Sequence, residues 1–420
     1  MPDTVTSLFD RAFALLLSGG FLFAVVGTGS LYGKLHAYDV GVGLLAAALL
    51  TGWLMSPRSL PLTRWDIVLM AAIVALACVM AIVPATLLSE TPRPVIQLFF
   101  LARVVGLFVV FLGFVFLASR WPATTRTAFV LTGVFLLAYA VHAAITGNFT
   151  GYYDYLDIPG TSAPLQSGFA FGILAALFLG LAVIAPSTPA RGGYLLLAFG
   201  LAFAAIGTVS RTNTIAVAFT SMLTPLVWAV FRRKYRQTLL VCLGLGALIG
   251  AVGLGYLAEA LPEPLQGPME ATFRRLGKFE ASSNLRFREW ASYFADAPVN
   301  VAVYWLTGLG VGAQSVLSRV DAGFTLRFDS LYLRLFFEWG AIGLALWTAF
   351  FLHLLSRVRR CASSFAVPLF LTLVYGGVVA VTHEWLFVGV SGYLYMAISG
   401  ALLGWAEAVR PRRAESAAER

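Results

Sequence analysis

Arginines stand in this chain where an apolar sequence can least easily carry them, and their surroundings suit them to holding an anion. Arg211 lies in Val209-Ser210-Arg211-Thr212-Asn213-Thr214, between two apolar runs with almost no room for a loop. An arginine near bilayer depth is costly unless it reaches water, a partner or an anion. Snorkelling to the interface is one reading, but the flanking Ser, Thr and Asn can orient a guanidinium and hydrogen-bond a polar ligand. Arg286 lies in a short helix predicted over about 285–295, capped by Ser283 or Asn284 and ended before Pro298. The i,i+4 spacing puts Arg286 and Trp290 on one face, with Arg288 pointing elsewhere. That face is either an ordinary amphipathic surface or one that turns its arginine toward a lipid headgroup. Arg103 is expected about nine residues, or roughly 13 Å, into the fourth apolar span. It either pairs with an acidic residue or lines a lipid-phosphate pocket.

The segment that returns to the apolar sequence is Asp329-Ser330-Leu331-Tyr332, followed by Arg334 and Glu338. Asp329 is placed to cap the next helix or to act as a base at the interface. Arg334 and Glu338 are spaced i,i+4 and are expected to neutralise each other. His383-Glu384-Trp385, in a short connection, is either solvated or a second source of a base. Tyr332, Arg288, Trp290 and His383 join Arg103 and Arg334 as candidate substrate-binding residues. Asp329, Arg211 and Arg286 are the catalytic candidates. Gly308, Gly310 and Gly312 resemble a nucleotide loop only superficially, since no strand precedes them; tight turns are the expectation.

Guanidinium forks bind a pyrophosphate bidentately and stabilise its charge as it leaves. The ligand class suggested is a lipid-linked phosphate. The four histidines show no metal-ligand spacing, so neither a metal nor any other cofactor is expected. The three cysteines, Cys78, Cys242 and Cys361, imply no disulfide framework.

The elements that must position these residues follow from composition. Of 420 residues, 59% are hydrophobic and 12% charged, and the mean hydropathy is +0.84, which excludes an ordinary soluble domain. The net charge of +9 could suggest nucleic acid, but the basic residues fall in short connections, and topology explains them without a nucleic-acid partner. Hydropathy predicts an all-α polytopic membrane protein of about twelve spans. They are placed near 12–30, 38–55, 65–84, 95–118, 127–146, 166–185, 193–209, 213–231, 237–258, 329–353, 364–381 and 387–407, within about four residues. The expected organisation is an N-terminal bundle of about nine spans over 1–260, a large catalytic loop with short helices over 261–328, three spans over 329–407 and a cytoplasmic, disordered tail over 408–420. Arginine bias of the connections puts both termini in the cytoplasm and the 261–328 loop on the other side. The outside connection 147–164 carries several tyrosines and two aspartates, and reads as interfacial anchoring or as a platform for sugar.

Three spaced elements now carry a family resemblance. Ser210-Arg211 stands at a span end. Arg286 precedes Trp290 by four residues and is followed by Gly308-Leu309-Gly310. Asp329-Ser330-Leu331-Tyr332-Leu333 is followed by Glu338-Trp339-Gly340. In their order and spacing, and in the large loop before the last three spans, the chain resembles the O-antigen ligase and O-antigen polymerase superfamily.

The resemblance implies a metal-independent glycosyltransferase of the bacterial inner membrane with its active face periplasmic. The donor would be a glycan on undecaprenyl pyrophosphate, held by Arg211 and Arg286 and attacked at its anomeric carbon by an acceptor hydroxyl. Ligases of this kind carry a histidine where Asp329 stands, which favours a polymerase. Its acceptor would be another lipid-linked repeat unit, and membrane lipid and a chain-length regulator are further partners. The alternative acceptor is lipid A core, which would make the chain a ligase. A transporter or flippase of lipid-linked oligosaccharide would share the hydropathy but should place its charges near the midplane between two related halves.

Overall fold

The computed structural model describes residues 2–26, 30–32, 35–55, 60–88, 94–145, 164–208, 210–232, 302–310, 330–383, 385–387 and 389–418. Its helices are α1 (Pro2–Val26), α2 (Ala37–Met55), α3 (Arg64–Leu88), α4 (Pro94–Arg120), α5 (Pro122–Ile145), α6 (Pro164–Ile184), α7 (Thr188–Gly207), α8 (Arg211–Arg232), the short α9 (Ala302–Thr307), α10 (Leu331–Cys361), α11 (Ala366–Ala380) and α12 (Gly389–Ala418). A two-stranded antiparallel hairpin, β1 (Ser30–Tyr32) and β2 (Leu35–His36), joins α1 to α2. Among the described residues six helices are long and apolar enough to cross a membrane, and the protein is a multi-pass membrane protein.

Local sequence explains where the helices start. Proline opens α4, α5 and α6, where its fixed φ suits the first helical turn and its missing N–H costs nothing. Ser187 caps α7 by accepting from the Ala190 amide at 3.4 Å. Ahead of α3, Thr63 and Asp66 bond reciprocally: the Asp66 carboxylate accepts from the Thr63 amide (2.6 Å) and hydroxyl (2.8 Å), and the Asp66 amide donates back to that hydroxyl.

Two helices form the interior. In α6 residues 168–183, and in α12 residues 391–406, are buried without interruption. A helix that is apolar on every side belongs in such a place. The α4–α12 contact is close because Gly400 and Gly404, four residues apart, face the Phe111 carbonyl and the Val115–Ala118 turn of α4. A side chain at either would collide with that backbone, as in small-residue seams between membrane helices. Leu16, Leu54, Leu98 and Ile145 point outward, each more than half exposed, as lipid-facing residues should.

The structure departs from the hydropathy reading at several element ends. α10 begins at Leu331 and is capped by Ser330, whose hydroxyl accepts from the Leu333 amide and donates to the Ala380 carbonyl (3.2 Å). The cap expected of Asp329 is therefore supplied by its neighbour. The same helix runs on to Cys361, past the expected end near 353, because Arg357 is buried among acidic partners rather than lost to solvent. α12 continues to Ala418 through the tail expected to be disordered; Ala414, Glu415, Ala417 and Ala418 are good or tolerant helix formers. The expected ninth span, the domain boundaries near 260 and 328, and most of the connection at 147–164 lie outside the described residues.

Candidate functional site

Polar side chains gather at the two ends of the bundle. At one end α3, α10 and α12 meet through Arg357. Its guanidinium donates to Asp66, to the Pro61 carbonyl and, at 2.8 Å, to Glu407. His353 lies 2.9 Å from the other Asp66 oxygen, and the Cys361 thiol donates to Glu407 at 3.1 Å. Arg120, Arg126 and Arg191 belong to this end too, over Phe116, over Trp405 and on the Ala185 carbonyl. Arg357, Asp66 and Glu407 answer one another, so this group reads as a structural lock, while Arg126 and Arg191 each keep a buried Nε without a hydrogen-bond partner.

The other end holds the candidate residues. The start of α8 lies beside the end of α11: Thr212 shares a hydrogen bond with Thr382, and the Tyr375 hydroxyl donates to the Asn213 side chain at 2.7 Å. Ser330 ties the start of α10 to Ala380 at the same place. Arg211 opens α8 and so stands at this end by its backbone. His383 follows the turn after α11, its ring edge-on to Phe169 at 4.8 Å. Tyr332 is 44% exposed, and its hydroxyl donates to the Gly377 carbonyl at 3.1 Å. That bond fixes the ring against α11 and leaves the phenol oxygen free only as an acceptor.

Arg103 and Arg334 flank the 3-10 turn Trp385–Phe387. Arg334 donates to Glu338 at 3.1 Å, with both side chains almost fully buried, as the i,i+4 spacing predicts. Its guanidinium also lies over the rings of Phe100 (5.2 Å) and Phe387 (5.1 Å). Arg103 donates to the Phe387 carbonyl at 2.9 Å and to the Tyr38 hydroxyl at 3.5 Å, and lies over Phe99. Tyr393 packs edge-on against Tyr38. Asp39 acts electrostatically on the same Tyr38 and Tyr393 that Arg103 meets, while the hydrogen bonds of Arg103 go to neutral oxygens, so both readings of Arg103 stay open. A guanidinium has five donors, and those of Arg103 that are committed go to the neutral oxygens of Phe387, Tyr38 and Tyr393, which leaves donors for an anion.

Tyr38, Phe387 and Tyr393 were invisible as site residues in the sequence, since 65 and 284 residues separate Tyr38 and Phe387 from the arginine they hold. The glycine motifs were visible, but what they do was not. Gly308 (φ 78°) and Gly340 (φ 66°) pack against each other's backbone, so Gly308-Leu309-Gly310 and Glu338-Trp339-Gly340 form one unit. Arg286, Arg288, Trp290 and Asp329 lie outside the described residues. Among the described residues, no three His, Cys, Asp or Glu side chains are grouped as a metal site. No family model matches the chain, and no curated protein matches it in sequence.

Proposed function

We propose that this protein is an inner-membrane glycosyltransferase that takes a glycan from undecaprenyl pyrophosphate on the periplasmic face and joins lipid-linked repeat units, as an O-antigen or exopolysaccharide polymerase. The observation that carries the reading is Arg103: a half-buried cation whose hydrogen bonds go to neutral oxygens, at the end where Arg211 and Arg334 also stand. A guanidinium with spare donors among apolar helices suits an anionic ligand that reaches it from the bilayer, and a lipid phosphate has that form.

In this reading the topology has twelve spans, with the ninth near 237–258, and both termini are cytoplasmic. The fully paired cluster around Arg357 faces the cytoplasm. Arg211 and Arg286 grip the donor pyrophosphate, Arg103 widens the positive field around it, Arg334 with its charge met by Glu338 holds the neighbouring turn, and Asp329 takes the proton of the attacking hydroxyl. The bond from the anomeric carbon to the pyrophosphate oxygen breaks as the new glycosidic bond forms, and the pyrophosphate leaves with the bonding electrons. A midplane transport site finds little support, because the described charged side chains lie toward the two ends.

Orientation is checked by labelling single cysteines from the periplasmic side: Glu270→Cys should react and Lys234→Cys should not. Function is checked by supplying purified protein with lipid-linked repeat units alone. Elongated lipid-linked glycan supports the polymerase, whereas product that appears only with added lipid A core makes the chain a ligase.

A further inference from the structure

α10 is broken at Gly340, and the break is filled by another part of the chain. In an unbroken helix the Phe337 and Glu338 carbonyls would receive the amides four residues on. Instead the Leu309 amide donates to Phe337 at 2.6 Å and the Gly310 amide to Glu338 at 3.0 Å. This satisfies, from a separate segment, backbone groups that could not stay open at membrane depth. The Leu306 carbonyl lies against Gly340, and a Cβ at Gly308 would strike the Glu338 carbonyl. Trp305 adds an edge contact to Phe336 at 5.5 Å.

The consequences of this docking reach Arg103. Trp339, beside the break, stacks on Phe387 with ring centroids 6.0 Å apart and an interplanar angle of 18°. Trp347 from beyond the break meets the same ring edge-on at 6.1 Å, and Arg334 covers it. The turn 385–387 is only three residues long, too short to hold itself in place, so these side chains fix it. Its last carbonyl is the Arg103 acceptor.

We infer that the docked segment Ala302–Gly310 is the positioning device of Arg103, acting through the broken turn and Phe387 to aim the guanidinium at a lipid pyrophosphate. The inference rests on the anion-binding reading of Arg103 given above. Arginine carries large rotamer freedom, and fixing it before binding removes an ordering cost from the binding step. Trp305, Trp339 and Phe387 are thus positioning residues that need not touch the lipid themselves.

The experiment is a double-mutant cycle on full-length protein, read as affinity for undecaprenyl pyrophosphate. Arg103→Gln should weaken binding by about 10- to 100-fold. Trp305→Ala should weaken it by about 2- to 10-fold in the wild-type background but by less than about 2-fold when Arg103 is already Gln. Trp305→Phe, which keeps the edge contact, should restore affinity. Losses that multiply, or unchanged affinity in Trp305→Ala, overturn the positioning role while leaving the function reading intact. A wild-type chain that does not bind undecaprenyl pyrophosphate overturns that reading, and the positioning role with it.

Discussion

Gly308 and Gly340 stand back to back, each in the left-handed region of backbone space and each with its missing side chain aimed at the other's segment. An L-residue in that region costs roughly 1–2 kcal/mol before any collision. Gly340→Ala adds an overlap with the Leu306 carbonyl, so a loss of about 2–3 kcal/mol in stability is expected. Thermal unfolding in detergent measures it. An unchanged midpoint in Gly340→Ala would mean that the segment is not docked as described.

The lock at the opposite end predicts a different kind of sensitivity. Arg357→Ala leaves Asp66 and Glu407 buried without their cation, and breaking a buried pair in this way costs about 3–5 kcal/mol. Arg357→Lys keeps the charge but can serve fewer of its three acceptors, so it should lie between the two. Unfolding midpoints that rank wild type, Lys, Ala would support this, and an Ala variant as stable as the wild type would refute it.

Arg211 and Arg286 are expected to act through geometry as well as charge. Substituting lysine removes the bidentate fork, so Arg211→Lys and Arg286→Lys should already lower turnover. The alanine variants should lose about 10² to 10³ in rate without losing the fold. Rates measured on protein with a normal melting profile decide the matter; near-normal activity in both alanine variants removes these residues from the site.

Because Ser330 caps α10, the capping and chemical roles at the loop's return can be separated by residue. Ser330→Ala should cost about 1 kcal/mol in stability and keep activity. Asp329→Asn should keep the fold and abolish elongation, because an amide cannot accept the hydroxyl proton. Full elongation by folded Asp329→Asn would leave His383 as the next candidate base to test.

Much of this arrangement was legible in the sequence, and the limits have physical causes. Hydropathy locates α1–α8 and α10–α12 because each carries a long apolar run, and six of the described helices are long and apolar enough to cross a bilayer. The Arg334–Glu338 pair is legible because helical spacing brings i and i+4 together. The helix ends were not, since hydropathy marks where apolar residues stop; α10 continues through charged Arg357 once buried carboxylates answer it. Nor were the partners of Arg103, because Tyr38 and Phe387 come from other helices, and no local period links them to it. The glycines of the two motifs suggested turns, but their mutual packing is a tertiary fact.

The central claim is that this chain joins lipid-linked glycans without any other acceptor. The direct measurement is the length distribution of lipid-linked glycan after purified protein in liposomes is given undecaprenyl-pyrophosphate-linked repeat units alone, without metal ions. A ladder of products longer by whole repeat units, with undecaprenyl pyrophosphate released one for one, is the predicted result. Repeat units that remain single in the presence of folded protein, whether untouched or merely moved across the bilayer, would contradict it.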